Sequence, residues 1–357
     1  MKRLGSRLPA AAAAAAAILL TVFSSSAANG VRDGIRLCVD TLIPSLFPCM
    51  IAASYLSEAI AFTVGSGKPS TLSRLLFGLS GGTDGLILCS VFGGYPTGER
   101  LTSHRTEAGA VTRRDGNRIS LFGFFPAPAF AVAAVGRNMF SSVRAGTLIY
   151  GSVLLCGILC GIMISFPHKK DLPGSAAIKK AKPDLSAAVN DAARGMLGVC
   201  LWTVVYSAMK SLLTSFLGSE PVALSCIAEV TAGCLAASRK NDPALAAAVL
   251  SFGGLCVHLQ ILPYLKKTGC KYRRFLLFRI CHAALSFTVS RGLMRLFPNA
   301  VCTFSPAEEH IKPALTGTVG AVTLLLLCCF LVLDTAANAF PSPPERSRQD
   351  DRDRNAI

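Results

Sequence analysis

The sequence predicts an all-α fold, a polytopic transmembrane helical bundle with two internal repeats and broken or re-entrant helices, and three observations predict it. Of 357 residues, 52% are hydrophobic and only 16% charged, with a mean hydropathy of +0.50, outside the usual range of water-soluble domains. The apolar residues form blocks of roughly 17 to 25, the length that crosses about 30 Å of hydrocarbon. Glycines and prolines interrupt several blocks, at corresponding places on either side of a polar stretch at 167–186.

The first block follows basic residues and runs over 9–23 into a Ser/Ala segment, so 1–29 reads as an N-terminal transmembrane helix or a signal-like segment, with retention the expectation. Further apolar elements are expected at 35–61, 72–93, 119–139, 144–166, 188–217, 222–238, 243–264, 275–297 and 312–333. Breaks are expected at Pro44 and Pro48, at Gly93, Gly94 and Pro96, at Pro126 and Pro128, and at Gly253 and Gly254, because proline removes an amide and clashes with the preceding turn. Residues 30–166 form the first repeat and 187–297 the second. The stretch 167–186, rich in lysine and proline, is a solvated linker between them. A C-terminal transmembrane helix occupies 298–335, and the charged tail 336–357 is expected to be disordered.

The repeat is visible on shifting the chain by 129 positions. LFGFFPAPAFAVAAV from Leu121 falls on LSFGGLCVHLQILPY from Leu250, Arg144 on Arg273 and Leu148 on Leu277. With another gap, GGYPTG from Gly93 falls near AEVTAG from Ala228. Paired interrupted segments are the sequence mark of a binding site at the midplane, because broken helices expose backbone donors and acceptors.

The net charge of +16 raises nucleic acid as a partner, but the basic residues gather between apolar blocks, at 100–118, 169–182, 266–274 and 346–354 among others. They read as juxtamembrane anchors, and the lipid bilayer, not nucleic acid, is the expected partner. Oligomeric state stays open. The fourteen cysteines lie mostly inside apolar blocks without CxxC spacing, so they read as packing residues and no metal site is expected. GSGKPS at 65–70 lacks the first glycine and the Ser or Thr of a phosphate loop. No cofactor is expected, and without a nucleophile and base pair the chain reads as no enzyme.

The candidate substrate-binding residues follow from the breaks. Gly93, Gly94, Tyr95, Pro96 and Thr97 can unwind a helix end and offer amides and carbonyls; Pro126 and Pro128 do the same in the next segment. Glu229, with Thr231, stands alone as a charge in an apolar run, a costly placement that points to a cavity, a partner or a coupling ion. Gly253 and Gly254 precede His258 and Gln260, whose polar groups lie beside the break. Arg137 reads as a snorkelling anchor more readily than as an anion contact.

GIRLCVDTLIPSLFPCMIAASYLSE, FGGYPTGERL with the hairpin TEAGAVTRRDGNR, PAPAF, EVTAG and FGGLCVHLQIL together resemble the sporulation integral membrane protein YlbJ family, over roughly residues 30–297. The resemblance implies a Gate or nucleoside-recognition domain, shared with nucleoside and ferrous-iron transport proteins. It also implies a multi-pass protein of the cell membrane, or of a membrane around the forespore. The function it implies is carriage of a small polar or anionic solute, dipicolinate-like or nucleoside-like, linked to spore formation. The chain departs from the family at 121–130, where many relatives have an Asn-rich CNNAGP-like string. The alternative is a non-transporting scaffold or assembly factor for the spore envelope.

Overall fold

The computed structural model describes residue 18 and residues 21–64, 71–80, 83–165, 182–218 and 222–298. Among them the chain is helical, with no strand. In chain order the helices are α1 (Ser24–Leu37), α2 (Ile43–Val64), α3 (Thr71–Phe77), α4 (Asp84–Gly93), α5 (Thr97–Glu107), α6 (Arg113–Phe122), α7 (Phe130–Met139, wound with π spacing), α8 (Val143–Ser165), α9 (Leu185–Leu217), α10 (Val222–Ala228), α11 (Val230–Arg239), α12 (Pro243–Phe252), α13 (Gly254–Thr268) and α14 (Tyr272–Leu296).

Among the described residues, four helical stretches are long and apolar enough to cross a membrane: Ser24–Ile60, Val143–Ser165, Leu185–Leu217 and Pro243–Thr268. The outward faces of the second and third carry Leu155, Leu159, Met163, Leu197, Leu201 and Met209, all well exposed. Such a continuous apolar belt would be costly in water and is at home against lipid tails. The core behind it mixes aliphatic residues such as Met50, Leu79, Ile149 and Leu250 with small and aromatic ones, among them Cys89, Ala131, Ala145, Cys156, Ala247 and Phe275. The buried cysteines among these serve as packing residues.

The sequence left 24–34 between the apolar segments expected at 9–23 and 35–61, and placed breaks at Pro44 and Pro48. First, residues 24–34 are helical and run through a π turn at Cys38–Leu42 into α2. Ala27, Gly30 and Gly34 are buried, and a Cβ on Gly30 would strike the Ser207 carbonyl and Ala208 of α9, so this face is small because another helix lies against it. Second, Pro44 and Pro48 do not break the chain. Pro44 follows the π turn directly, as the second residue of α2, and Pro48 sits inside the continuous helix, six residues past that turn.

The helices do stop at the other expected places: the 119–139 block is non-helical at 123–127, and helices end at Gly93 and Phe252. Two blocks expected to be single elements are also interrupted, 72–93 between Phe77 and Asp84 and 222–238 at Glu229. The chain changes direction at Gly94–Pro96 and at Gly253, both with left-handed glycines (φ +66° and +87°). The expected segments at 9–23 and 312–333, most of the linker and the charged tail lie largely or wholly outside the described residues.

Candidate functional site

The breaks converge. The Tyr95 amide donates to the Phe125 carbonyl at 2.7 Å, which ties the turn between α4 and α5 to the extended stretch between α6 and α7. Gly94 lies so close to Ala127 that any side chain there would collide with the Ala127 main chain. Another close backbone approach lies at Gly254, where a Cβ would come to 3.0 Å from the Val230 nitrogen and 3.3 Å from the Ala228 carbonyl. The two pairs then meet each other. Gly253 abuts the Phe124 ring, the Tyr95 ring stacks on Phe124 with centroids 4.5 Å apart, and the Tyr95 hydroxyl donates to the Leu250 carbonyl at 3.4 Å.

Breaking a helix in an apolar interior strands carbonyls, and the protein answers with cationic and aromatic side chains. Arg279 of α14 is fully buried and donates to the Phe124 carbonyl at 2.9 Å and to the Leu121 carbonyl. Its guanidinium stands 4.6 to 5.4 Å from the ring centres of Phe124, Phe275 and Phe278, so cation–π attraction adds to the two hydrogen bonds. His258 plays the same part for the other break. Its Nε2 donates to the Phe252 carbonyl at 2.8 Å, which leaves Nδ1 to accept from the Tyr272 hydroxyl at 3.3 Å.

Between the breaks lies a hollow of about 30 Å³, bounded by Tyr95, Pro96, Phe130, Thr203, Glu229, Thr231 and Gln260 among others. Of the residues singled out in the sequence, Tyr95, Pro96, Glu229, Thr231 and Gln260 line it. Gly93, Gly94, Thr97, Pro126, Pro128, Gly253 and Gly254 shape the surrounding backbone, and His258 points to the break carbonyl instead. Glu229 is 5% exposed and caps α11, accepting from the Ala232 amide at 2.7 Å. It is the one acidic side chain on the wall. Gln260 Oε1, and Thr97 Oγ1 nearby in sequence to the Pro96 wall, are buried without a hydrogen-bond partner, so the region retains unspent acceptor and donor capacity. Arg137 is exposed at the end of α7, in keeping with an anchor.

Reading the sequence placed 100–118 among surface anchors; the structure corrects this for two arginines. Arg100 is 3% exposed and pairs with Asp191 of α9, Nη1 to Oδ1 at 2.7 Å, while Ser54 donates to the same carboxylate at 2.9 Å. Arg118 is buried and donates to the Gly78 carbonyl at 3.0 Å. Glu99, also buried, accepts from Ser120 at 2.7 Å, and Ser120 lies 2.9 Å from the Thr268 hydroxyl. Helix α5 is not one of the spanning stretches, and burial there pushes the Glu99 carboxyl up to about 7, against the partial opposing pull of Ser120 and Arg279. Arg279 went unnoticed because FLLFRICHAAL reads as an ordinary span; a lone arginine inside such a run was the available signal.

The all-helical fold and four apolar helices of spanning length are compatible with a membrane protein. Compared with protein-family models, with curated proteins and with solved structures, the chain finds no match in any of the three.

Proposed function

We propose that this chain is an integral membrane carrier of a small polar solute, bound where the interrupted helices meet. The convergence of the breaks around Glu229 and Gln260 is the observation that carries the reading, because interrupted helices packed in pairs at one point are the architecture of midplane transport sites. The two close contacts, Gly94 on Ala127 and Gly254 on Val230, accord with two internal repeats related across the linker. The resemblance to the YlbJ family favours the same class and links it to spore formation and to a cell or forespore membrane.

The site's charge narrows the solute. The only charged group on the wall is a carboxylate, while Arg137 lies at the surface and Arg279 and His258 are spent on backbone carbonyls. A neutral, nucleoside-like molecule with donors for Glu229 and Gln260 suits this wall better than a dianion such as dipicolinate. A hollow of about 30 Å³ holds a water molecule or a bare ion, so solute entry requires the paired breaks to separate. The carrier reading therefore takes this conformation as closed, with a coupling ion as one candidate for the small hollow. The scaffold reading draws its support from the same small volume, which leaves the interior filled.

Uptake into proteoliposomes separates them. Wild-type protein is expected to accumulate a labelled nucleoside above empty vesicles, and Glu229→Gln and Gln260→Ala to lose most of that uptake at equal protein content. If wild type moves neither nucleosides nor dipicolinate, the carrier reading falls and the scaffold reading stands.

A further inference from the structure

A second concavity, sharing no lining residue with the hollow at Glu229, has a volume of about 410 Å³ and is lined by Arg113, Arg114 and Arg118 of α6 and Arg274 of α14, with no carboxylate among the lining residues. Its floor is apolar, formed by Leu121 and Ile164. The walls are fixed to each other, since the Asn117 amide donates to the Gly269 carbonyl at 2.9 Å. Two helices begin at its edge: Arg113 is the first residue of α6 and Arg274 lies in the first turn of α14, a 25-residue helix with no acidic residue in that turn. The positive end of α14 thus adds to the exposed guanidiniums of Arg113 and Arg274, while Arg118 is bonded to the Gly78 carbonyl and the first turn of α6 carries Asp115.

Position gives the source of the ligand. Ile164 is one residue from the end of the spanning helix α8, and the lining residue Thr268 ends the spanning stretch Pro243–Thr268. The pocket therefore stands at the depth where lipid headgroups lie. Guanidiniums above an apolar floor match an amphiphile, with its phosphate at the arginines and its glycerol and upper acyl carbons against Leu121 and Ile164. A soluble anion would have no use for that floor. We infer that this pocket is a specific site for the phosphate headgroup of an anionic phospholipid. The site is independent of transport and would serve a carrier or a scaffold alike.

The test uses the full chain in a neutral detergent, with lipid binding followed by native mass spectrometry. Dioleoyl phosphatidylglycerol is expected to bind in preference to dioleoyl phosphatidylcholine. Arg113 and Arg274 are exposed, so the double variant Arg113→Gln/Arg274→Gln should fold, and its affinity for phosphatidylglycerol should fall roughly 30-fold, about fivefold for each basic group removed. If its elution profile differs from wild type, Arg274→Gln alone is read, with a loss of about fivefold. The control Lys240→Gln/Arg295→Gln removes equal charge from residues outside the pocket and should change binding by less than about threefold, the most that a general field effect of screened charges would give. Displacement of the lipid by millimolar inorganic phosphate would show that the phosphate group alone is read; retention in its presence would show that the apolar floor contributes. Either supports the site. Equal binding of both lipids, unchanged binding by the Arg113/Arg274 variant, or an equal loss in the control would overturn it.

Discussion

Arg279→Met should unfold the crossing more than any other single change to α14. Methionine keeps most of the apolar volume, so the loss falls on the two carbonyls that the guanidinium serves, Leu121 and Phe124. Both lie where α6 gives way to the extended stretch 123–127 and helical i+4 amides are no longer supplied. A hydrogen bond to a charged donor contributes about 1.5–3 kcal/mol, and a buried carbonyl left bare costs a similar amount. The two together give a loss of roughly 3–5 kcal/mol, partly offset because a buried charge is itself expensive. For a chain of 357 residues, at about 2.1 cal/mol/K of unfolding entropy per residue, that corresponds to a fall in Tm of roughly 4–7 °C. Arg279→Lys keeps the charge but offers a single ammonium in place of a planar fork, so it should serve one carbonyl and fall about half as far. Thermal unfolding of detergent-purified protein, followed by fluorescence-detected size exclusion, reads both. A Met variant within 2 °C of wild type, or a Lys variant worse than Met, would refute the claim that Arg279 holds the break by bonding its carbonyls.

Three further outcomes are expected. Gly94→Ala should destabilise by several kcal/mol, because the position combines φ +66° with contact against the Ala127 main chain, whereas Gly151→Ala, with nothing within 4 Å, should be neutral or stabilising by up to about 1 kcal/mol; comparative Tm values decide it. Glu99 titrates near 7 in the fold against an ordinary 4.5, so the folded state holds its proton more tightly than the unfolded state does. Its contribution to stability is complete below about pH 4.5 and is lost as pH rises through 7, a span of roughly 3 kcal/mol at 1.36 kcal/mol per unit; Glu99→Gln should flatten that part of the Tm-against-pH curve and raise Tm at pH 8. Asp191→Asn leaves Arg100 buried without its counter-charge and should cost about 3 kcal/mol, near the lower end for a buried pair because Asp191 is partly exposed, and Arg100→Met in the same chain should recover much of it, as a double-mutant cycle would measure.

The membrane class and the positions of the breaks were legible because both rest on local chemistry. A run of apolar residues of spanning length and a glycine or proline that a helix cannot absorb leave marks in the sequence itself. Gly94, Pro126 and Gly253 were found this way, and each sits at or beside a real interruption; Glu229 stood out only as a lone charge, and the interruption there was not foreseen. Pro48 misled because the helix continues through it, six residues past the π turn at Cys38–Leu42. The polar run 24–34 fell between two expected apolar segments, and its small residues answer to α9, far away in the chain.

Side-chain partners were the least legible. His258 looked like a group waiting for a ligand, yet the break that singled it out also supplies its partner, the Phe252 carbonyl. Arg100 and Arg118 sit in a basic stretch that resembles an anchor, and only the packing of α5 and α6 against the bundle shows them buried. Conversely, Thr203 joins the hollow from the middle of α9, a helix whose sequence carries no interruption to mark it.

Equilibrium binding of solutes to the purified full-length protein tests the account most directly, with nucleosides and dipicolinate compared in one titration series. Saturable binding of a nucleoside that Glu229→Gln and Gln260→Ala each weaken at least tenfold, while Arg113→Gln/Arg274→Gln leaves it intact, is the predicted result. No saturable binding by any of these compounds, or binding that survives both substitutions at the crossing, would contradict it.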